Sequence, residues 1–139
     1  MRVLVDTNII LDFQLVREPF IREADALFQA MQSDRIVGYV TATTVTDIFY
    51  IVRRETRSLE RARQAVSTTL EAMEVCPVSG PILDRAFASN LRDFEDAVQL
   101  ACAVAENLDA IVTRNPQDFT GSPLAILSVA ELLERLGEP

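Results

Sequence analysis

The chain has 139 residues, of which 49% are hydrophobic and 24% charged, and these values are typical of one globular domain spanning residues 1–139. It contains no His and no Lys, which excludes His-dependent nucleophiles, His-ligated zinc, Schiff-base chemistry and the lysine of a phosphate-binding P-loop. The formal net charge of -8 disfavours direct attraction to nucleic acid, although bound cations could still bring the two together.

Two features bear on where the chain resides. The longest uncharged apolar run near the middle of the chain, residues 97–105, is about half the length that a membrane span requires. Cys76 and Cys102 lie in apolar surroundings, which favours buried free thiols over a disulfide. The sequence therefore predicts a cytoplasmic protein that has no membrane segment.

Strand-like and helix-like segments alternate along the chain. The predicted strands cover residues 3–5, 35–40, 75–78, 110–113 and 124–127. The predicted helices begin near residues 8, 20, 41–44, 58, 79–81, 93 and 128. This alternation predicts an α/β fold with a mainly parallel sheet and right-handed crossover connections.

Asp6 directly follows the first predicted strand. The carboxyl ends of parallel strands are where ligands bind in open α/β sheets, so Asp6 is a candidate functional residue. An equal explanation is that Asp6 caps the helix that follows it. Asp47 is also open to two interpretations, because a position three residues after Thr44 would place it in the first turn of a helix, where capping and the helix dipole suffice.

Asp93 and Asp96 are spaced i, i+3 at the start of the most regular predicted helix. Asp93 is expected to cap this helix, and Asp96 extends its buried stripe towards the sheet. Glu95 is expected to point away from that stripe and to be solvated. Asn115 follows the strand predicted at residues 110–113.

In combination these polar residues predict a metal site. Strand ends and helix starts meet at one edge of a doubly wound sheet, so Asp6, Asp47, Asp93, Asp96 and Asn115 could converge there. Clustered carboxylates repel one another unless a cation neutralises them, and oxygen ligands select hard ions such as Mg²⁺ or Mn²⁺. Such a site can activate water and stabilise phosphoryl oxygens.

Three segments of the chain resemble the signature segments of PIN-domain proteins: residues 3–9 (VLVDTNI), 93–99 (DFEDAVQ) and 111–119 (IVTRNPQDF). Their order and spacing fit nearly the whole chain, with a Thr-rich helix start before Asp47 between the first two. The resemblance implies a single PIN-like domain over residues 1–139, a three-layer α/β/α, Rossmann-like fold with four or five strands. It also implies a metal-dependent ribonuclease of the VapC type, a toxin paired with an antitoxin, that forms a homodimer and leaves 5′-phosphate and 3′-hydroxyl ends on RNA.

Carried over position by position, the resemblance assigns catalytic roles to Asp6, Asp47 and Asp96, with Asp93 and Asn115 as further metal ligands. Asp47 stands where the family usually has Glu, and its shorter side chain could reach a metal through water. Asn115 stands where many members have Asp, which lowers the negative charge of the site by one. Asp118 could replace that carboxylate, although a capping role in the turn before Phe119 is favoured.

Substrate contacts are assigned to Asn8 and Arg114, with a structural salt bridge as an alternative role for Arg114. The Phe20, Phe28 and Met31 stripe is a candidate antitoxin surface if it is exposed. A cluster of arginines is a candidate track for the RNA backbone, or else a solvated helix surface. This cluster comprises Arg53, Arg54, Arg57, Arg61 and Arg63.

Two alternative functions remain open. The first is a non-catalytic PIN-like interaction module whose altered acidic residues no longer bind metal. The second is a phosphatase or phosphotransferase with Asp6 as nucleophile, but the haloacid-dehalogenase pattern requires a second Asp where Asn8 stands and a lysine that this chain lacks.

Overall fold

The computed structural model of the chain describes residues 1–137. Its strands are β1 (Arg2–Val5), β2 (Val37–Thr41), β3 (Glu74–Cys76), β4 (Ala110–Val112) and β5 (Ala125–Leu127). Its helices are α1 (Thr7–Gln14), α2 (Ile21–Gln32), α3 (Ala42–Thr56), α4 (Leu59–Ala72), α5 (Gly80–Ala88), α6 (Phe94–Ala105) and α7 (Val129–Arg135), with a 3-10 helix at Pro116–Phe119. Every predicted strand and helix is present, and the bounds differ by a few residues at most.

The five strands form one sheet in the order β3-β2-β1-β4-β5, and all four neighbouring pairs are parallel. The chain therefore adds strands on one side of β1 and then returns to add β4 and β5 on the other side. This reversal leaves a crevice outside the carboxyl ends of β1 and β4, the place where ligands bind in folds of this class.

Helices cover both faces of the sheet, as residues of β1 illustrate. Val3 and Val5 pack into one core together with residues of α1, α2, α3, α4 and α7, whereas Leu4 packs into a second core with residues of α5 and α6. Alternate residues of a strand point to opposite faces, so an entirely apolar strand must be covered on both sides. The three-layer α/β/α architecture with a parallel sheet is thus confirmed.

The apolar stripe of α2 belongs to the core. Phe28 and Met31 are buried, and the ring of Phe28 stacks on that of Phe13 with 3.9 Å between the ring centroids. Gly38 in β2 gives Met31 the space it occupies, because a Cβ atom at Gly38 would collide with the Met31 sulfur. The stripe is not exposed, so the condition for its use as an antitoxin surface is not met.

Both cysteines are buried and free, as predicted. Burial raises the pKa of the Cys76 thiol to about 12 and that of the Cys102 thiol to about 11, so both stay protonated at neutral pH. Within residues 1–137, no helix is long and apolar enough to cross a bilayer.

Candidate functional site

A cavity of about 340 Å³ lies at the carboxyl edge of the sheet, beside the ends of β1 and β4. It brings together all of the predicted metal ligands and Asn8, and it also contains Glu95 and Asp118. Its lining comprises Asp6, Thr7, Asn8, Leu11, Asp47, Ile51, Asp93, Glu95, Asp96, Asn115 and Asp118. Six carboxyl groups therefore line this one cavity, and none of its lining residues within 1–137 is basic.

Asp6 precedes α1 but does not cap it, because its side chain makes no capping hydrogen bond. Instead, its two oxygens accept hydrogen bonds from other elements of the fold. Gln99 Nε2 of α6 donates to Oδ1 at 3.0 Å, and Thr113 Oγ1, just after β4, donates to Oδ2 at 2.7 Å. The capping explanation for Asp6 therefore does not hold, and the buried carboxylate is held at the edge of the sheet.

Asp47 lies deeper in its helix than the sequence analysis placed it. α3 begins at Ala42, and its N-cap is Thr41, whose Oγ1 accepts a hydrogen bond from the Thr44 backbone N–H at 3.1 Å. Asp47 is thus in the second turn, where capping does not apply. The partly buried Asp47 side chain instead lines the acidic cavity.

Asp93 caps α6, as predicted, because its Oδ1 accepts a hydrogen bond from the Asp96 backbone N–H at 2.9 Å. The cap also places Asp93 and Asp96 one helical turn apart at the mouth of the cavity. A local capping motif therefore positions both residues of this predicted pair.

The prediction for Glu95 was right about its exposure and wrong about its direction, because its side chain lines the cavity. The residue is exposed on one side, but its Oε1 accepts a hydrogen bond from Thr7 Oγ1 at 3.0 Å. Thr41 donates to Thr44 Oγ1, which pairs with Thr7 Oγ1, each at 2.9 Å. Since a hydroxyl group has one proton to donate, the three threonines form a directed chain of hydrogen bonds that ends on the Glu95 carboxylate.

Two carboxyl groups of the cavity have strongly raised pKa values. Burial, the charge of Asp47 and a hydrogen bond with Asp47 raise the pKa of Glu95 to about 7. Burial and the charges of Asp93 and Asp6, among others, raise the pKa of Asp96 to about 7. Without a cation, Glu95 and Asp96 are therefore partly protonated at neutral pH.

We expect the metal-free protein to be more stable at pH 5.5 than at pH 8. The folded protein binds protons at Glu95 and Asp96 more tightly than the unfolded chain does, so stability falls as pH rises from about 4.5 through 7. After allowance for solvent screening, the two groups together should lower the free energy of unfolding by about 1–2 kcal/mol between pH 5.5 and pH 8. Urea unfolding in the presence of a chelator measures this difference.

The control for this experiment is the Glu95→Gln, Asp96→Asn double variant, whose stability should change less between the two pH values. Adding Mn²⁺ to the wild-type chain should also reduce the loss at pH 8. A metal-free protein whose stability rises between pH 5.5 and 8 would contradict the prediction.

The loop after β4 contributes Asn115 and Asp118. The Asn115 backbone N–H donates to Thr113 Oγ1, and the Asn115 carbonyl accepts from the Asp118 backbone N–H, each at 3.0 Å. The favoured capping role of Asp118 has no side-chain hydrogen bond to support it within the described residues, whereas its charge helps to raise the pKa of Asp96. Asp118 therefore offers the carboxylate that Asn115 lacks.

Arg114 does not line the acidic cavity. Its Nε lies 2.9 Å from Oδ2 of the buried Asp12, and its guanidinium stacks over the ring of Phe20, 3.8 Å from the centroid. Arg17 is a more distant partner of the same carboxylate, since its Nη1 lies 3.8 Å from Asp12 Oδ1. Of the two roles considered for Arg114, the structure favours the salt bridge.

The donor set of the cavity fits a hard cation, although the side chains are not yet gathered around one point. Among residues 1–137, no three Asp, Glu, His or Cys side chains are close enough together to hold a metal ion as they stand. The groups that line the cavity are nevertheless carboxylate and amide oxygens, which Mg²⁺ and Mn²⁺ prefer. Burial and the neighbouring carboxylates raise the pKa of Glu95 and Asp96, and a bound cation would oppose both effects by favouring the charged forms.

Three residues of the site were not predicted from the sequence: Glu95, Gln99 and Thr113. A signal for Gln99 was present, since it is a polar residue three positions after Asp96 on the buried side of a helix. Thr113 stands at the end of a buried strand, as Asp6 does. For Glu95 no local signal existed, because its partners Thr7 and Asp47 come from α1 and α3.

Comparisons with known proteins agree with this architecture. The chain is 26% identical to a protein in a toxin–antitoxin complex from Klebsiella pneumoniae, with a TM-score of 0.67 over 91% of this chain and 97% of that one. VapBC-1 from nontypeable Haemophilus influenzae gives 16% identity, a TM-score of 0.70 and coverage of 94% and 99%. VapC20 from Mycobacterium tuberculosis, a toxin that cleaves the sarcin-ricin loop, gives 16% identity, a TM-score of 0.64 and coverage of 78% and 86%.

A search among curated proteins gave no match. The sequence profile of the PIN domain matches residues 2–117, a span that includes Asp6, Asp47, Asp93, Glu95, Asp96 and Asn115. This match covers most of the chain and contains most of the acidic cavity. The chain therefore belongs to the PIN-domain family.

Proposed function

We propose that this chain is a Mg²⁺- or Mn²⁺-dependent endoribonuclease that acts as the toxin of a toxin–antitoxin pair. The observation that carries the proposal is the acidic cavity, where six carboxyl groups meet at the crevice of a parallel sheet. Support comes from membership of the PIN-domain family and from the similarity to a toxin in which cleavage of the sarcin-ricin loop is described.

In the proposed mechanism, a Mg²⁺ or Mn²⁺ ion held in the cavity would supply the Lewis acidity needed to activate water and stabilise phosphoryl oxygens. Asp6 is held for this role by two hydrogen bonds, and its neighbour Asn8 lines the same cavity, where its amide can contact an RNA phosphate. The residues that would hold the cation are Asp6, Asp47 and Asp96, with Asp93, Asn115 and also Asp118 as further donors. By the family resemblance, the products would carry 5′-phosphate and 3′-hydroxyl ends.

RNA needs positive charge that the cavity itself does not supply. The five arginines of the predicted track, which lie at the end of α3 and the start of α4, are all exposed to solvent. Their clustering in an acidic protein supports a role in binding the RNA backbone. The five residues are Arg53, Arg54, Arg57, Arg61 and Arg63.

The test of the nuclease proposal is the cleavage of a single-stranded RNA by the purified chain. We expect cleavage with Mn²⁺, loss of cleavage with a chelator and recovery when Mn²⁺ is restored. The product ends, determined by mass spectrometry, should be 5′-phosphate and 3′-hydroxyl. Calorimetric titration of the folded chain with Mn²⁺ distinguishes a metal-dependent nuclease from a non-catalytic interaction module. Absence of binding would favour the module.

The toxin role depends on a partner. A groove of about 960 Å³ between α3 and α4, in which Leu59 and Leu70 are half exposed, offers a surface of the kind where protein partners bind. The similarity to a protein in the Klebsiella pneumoniae toxin–antitoxin complex supports an antitoxin as that partner. We expect induction of the gene to arrest growth of an expression host and co-expression of a small upstream open reading frame to relieve the arrest.

A homodimer is part of the same proposal, because small PIN domains commonly dimerise. Sedimentation of the purified chain measures the oligomeric state directly. Cleavage by a strictly monomeric chain would remove the dimer from the proposal and leave the nuclease intact.

A further inference from the structure

The side-chain amide of Gln99, on α6, forms one hydrogen bond among the described residues, although it can form several. The residue is 1% exposed. Its Nε2 donates to Asp6 Oδ1 at 3.0 Å, whereas its Oε1 is buried and has no hydrogen-bond partner among the described residues. A buried acceptor without a partner destabilises a fold, so the presence of this amide calls for an explanation.

The orientation of the amide is set by Asp6. If the Gln99 amide were turned over, its Oε1 would face Asp6 Oδ1, and two acceptors would repel each other. The observed orientation therefore satisfies the carboxylate and leaves the Gln99 oxygen unpaired. A Met side chain of similar length would remove the unpaired oxygen, but it would also remove the donor to the buried Asp6 carboxylate, so the amide at this position serves that carboxylate.

The hydrogen bond from Gln99 completes the support of Asp6. Thr113 Oγ1 donates to the other carboxylate oxygen at 2.7 Å, so each oxygen has one protein donor. Each carboxylate oxygen can accept two hydrogen bonds or ligand contacts, which leaves one position on each for a cation. Donors that orient a metal-binding group in this way strengthen metal binding by roughly 10–100-fold.

We propose that Gln99 is a positioning residue that holds the Asp6 carboxylate in the orientation that binds a divalent cation. This inference rests on the proposed function, since it requires that the acidic cavity binds Mg²⁺ or Mn²⁺. It assigns to α6 a second contribution to the site, in addition to the carboxylates at its N-terminal end.

The experiment compares the wild-type chain with Gln99→Met by calorimetric titration of the metal-free proteins with Mn²⁺. We expect the Kd for Mn²⁺ to rise by roughly 10–100-fold, while the metal-free variant still unfolds in a single cooperative transition. The Mn²⁺ concentration for half-maximal RNA cleavage should rise in proportion, with little change in the rate at saturating Mn²⁺. Gln29→Met, at an exposed position of α2, is the matched control and should leave the Kd unchanged.

A second variant, Gln99→Leu, repeats the comparison with a different apolar side chain. Unchanged Mn²⁺ affinity in both variants would overturn the assignment of Gln99 while leaving the nuclease proposal in place. Loss of cooperative unfolding in both variants, together with a lower rate of RNA cleavage at saturating Mn²⁺, would show a structural role and would also overturn it. Absence of Mn²⁺ binding by the folded wild-type chain would overturn both proposals.

Discussion

Replacing Asp6 by Asn is expected to weaken Mn²⁺ binding by at least about 100-fold, because residues that only orient a metal ligand already contribute 10–100-fold. RNA cleavage should fall at least as far. The substitution removes the negative charge at the centre of the cavity but keeps the size of the side chain. The direct measurements are calorimetric titration with Mn²⁺ and single-turnover RNA cleavage.

The fold should tolerate this substitution. An Asn oxygen can still accept the hydrogen bond from Gln99 Nε2, and the Thr113 hydroxyl can accept from the Asn amide as readily as it donates. Loss of the Asp6 charge also removes one of the causes that raise the pKa of Asp96. A folded Asp6→Asn protein that binds Mn²⁺ and cleaves RNA like the wild type would refute the assignment of Asp6.

Asp84→Asn is the matched control for charge. Asp84 lies on α5 and is exposed, and it does not line the acidic cavity. This variant has the same net charge as Asp6→Asn and should bind Mn²⁺ and cleave RNA as the wild type does. Equal loss in both variants would indicate a general charge effect and not a site at Asp6.

Replacing Arg114 by Met is expected to lower the free energy of unfolding by about 2–4 kcal/mol at pH 7.5, because it leaves a buried carboxylate without its closest cation. Asp12 has a side chain that is only 1% exposed, whereas that of Arg114 is 28% exposed. Stacking of the guanidinium on Phe20 is lost as well. Urea unfolding monitored by circular dichroism measures the change.

The loss should depend on pH in a defined direction. Burial already raises the pKa of Asp12, although the charges of Arg114 and Arg17 oppose this rise. Without Arg114 the pKa rises further, so the penalty is complete at high pH and shrinks as pH falls through the raised value towards the unfolded one. The difference between wild type and variant should therefore be smaller at pH 5 than at pH 7.5.

Two further variants isolate the ion pair. Arg17→Met should cost less than about 1 kcal/mol, because Arg17 is a partly exposed and more distant partner of Asp12. The double variant Asp12→Leu, Arg114→Met should recover most of the lost stability, since neither charge is then buried alone. An Arg114→Met protein as stable as wild type, or a double variant no better than the single one, would contradict this account.

The arrangement of the candidate site explains why some of its residues were predicted from the sequence and others were not. Asp6, Asp93 and Asp96 follow strands or begin helices, and the rule that such positions share one edge of a parallel sheet needs no knowledge of distances. Glu95 sits beside them in sequence, yet helical periodicity alone assigned it to solvent. Its contacts with Thr7 and Asp47 depend on how α1 and α3 pack against the start of α6, which periodicity does not encode.

Arg114 and Asp118 show the same limit in the loop after β4. Both residues lie within three positions of Asn115 in the sequence, and this proximity allowed either of them to reach the site. The path of the 3-10 helix directs Asp118 towards the cavity, whereas the pairing of Arg114 with Asp12 and Phe20 directs its side chain away. Long side chains at loop positions take their direction from neighbours that are remote in sequence.

The sequence by itself determined the order of strands and helices, the parallel α/β class and the family, because apolar periodicity, capping residues and motif spacing are local properties of the chain. It also determined which chemistry was available, since a chain without His and Lys leaves carboxylates and amides as the site's donors. Only the tertiary structure decided which carboxylates share the cavity and which donors orient Asp6. Those relations join residues about 90 to 110 positions apart in the chain, and they follow from the packing of α6 and β4 against β1, which no local pattern specifies.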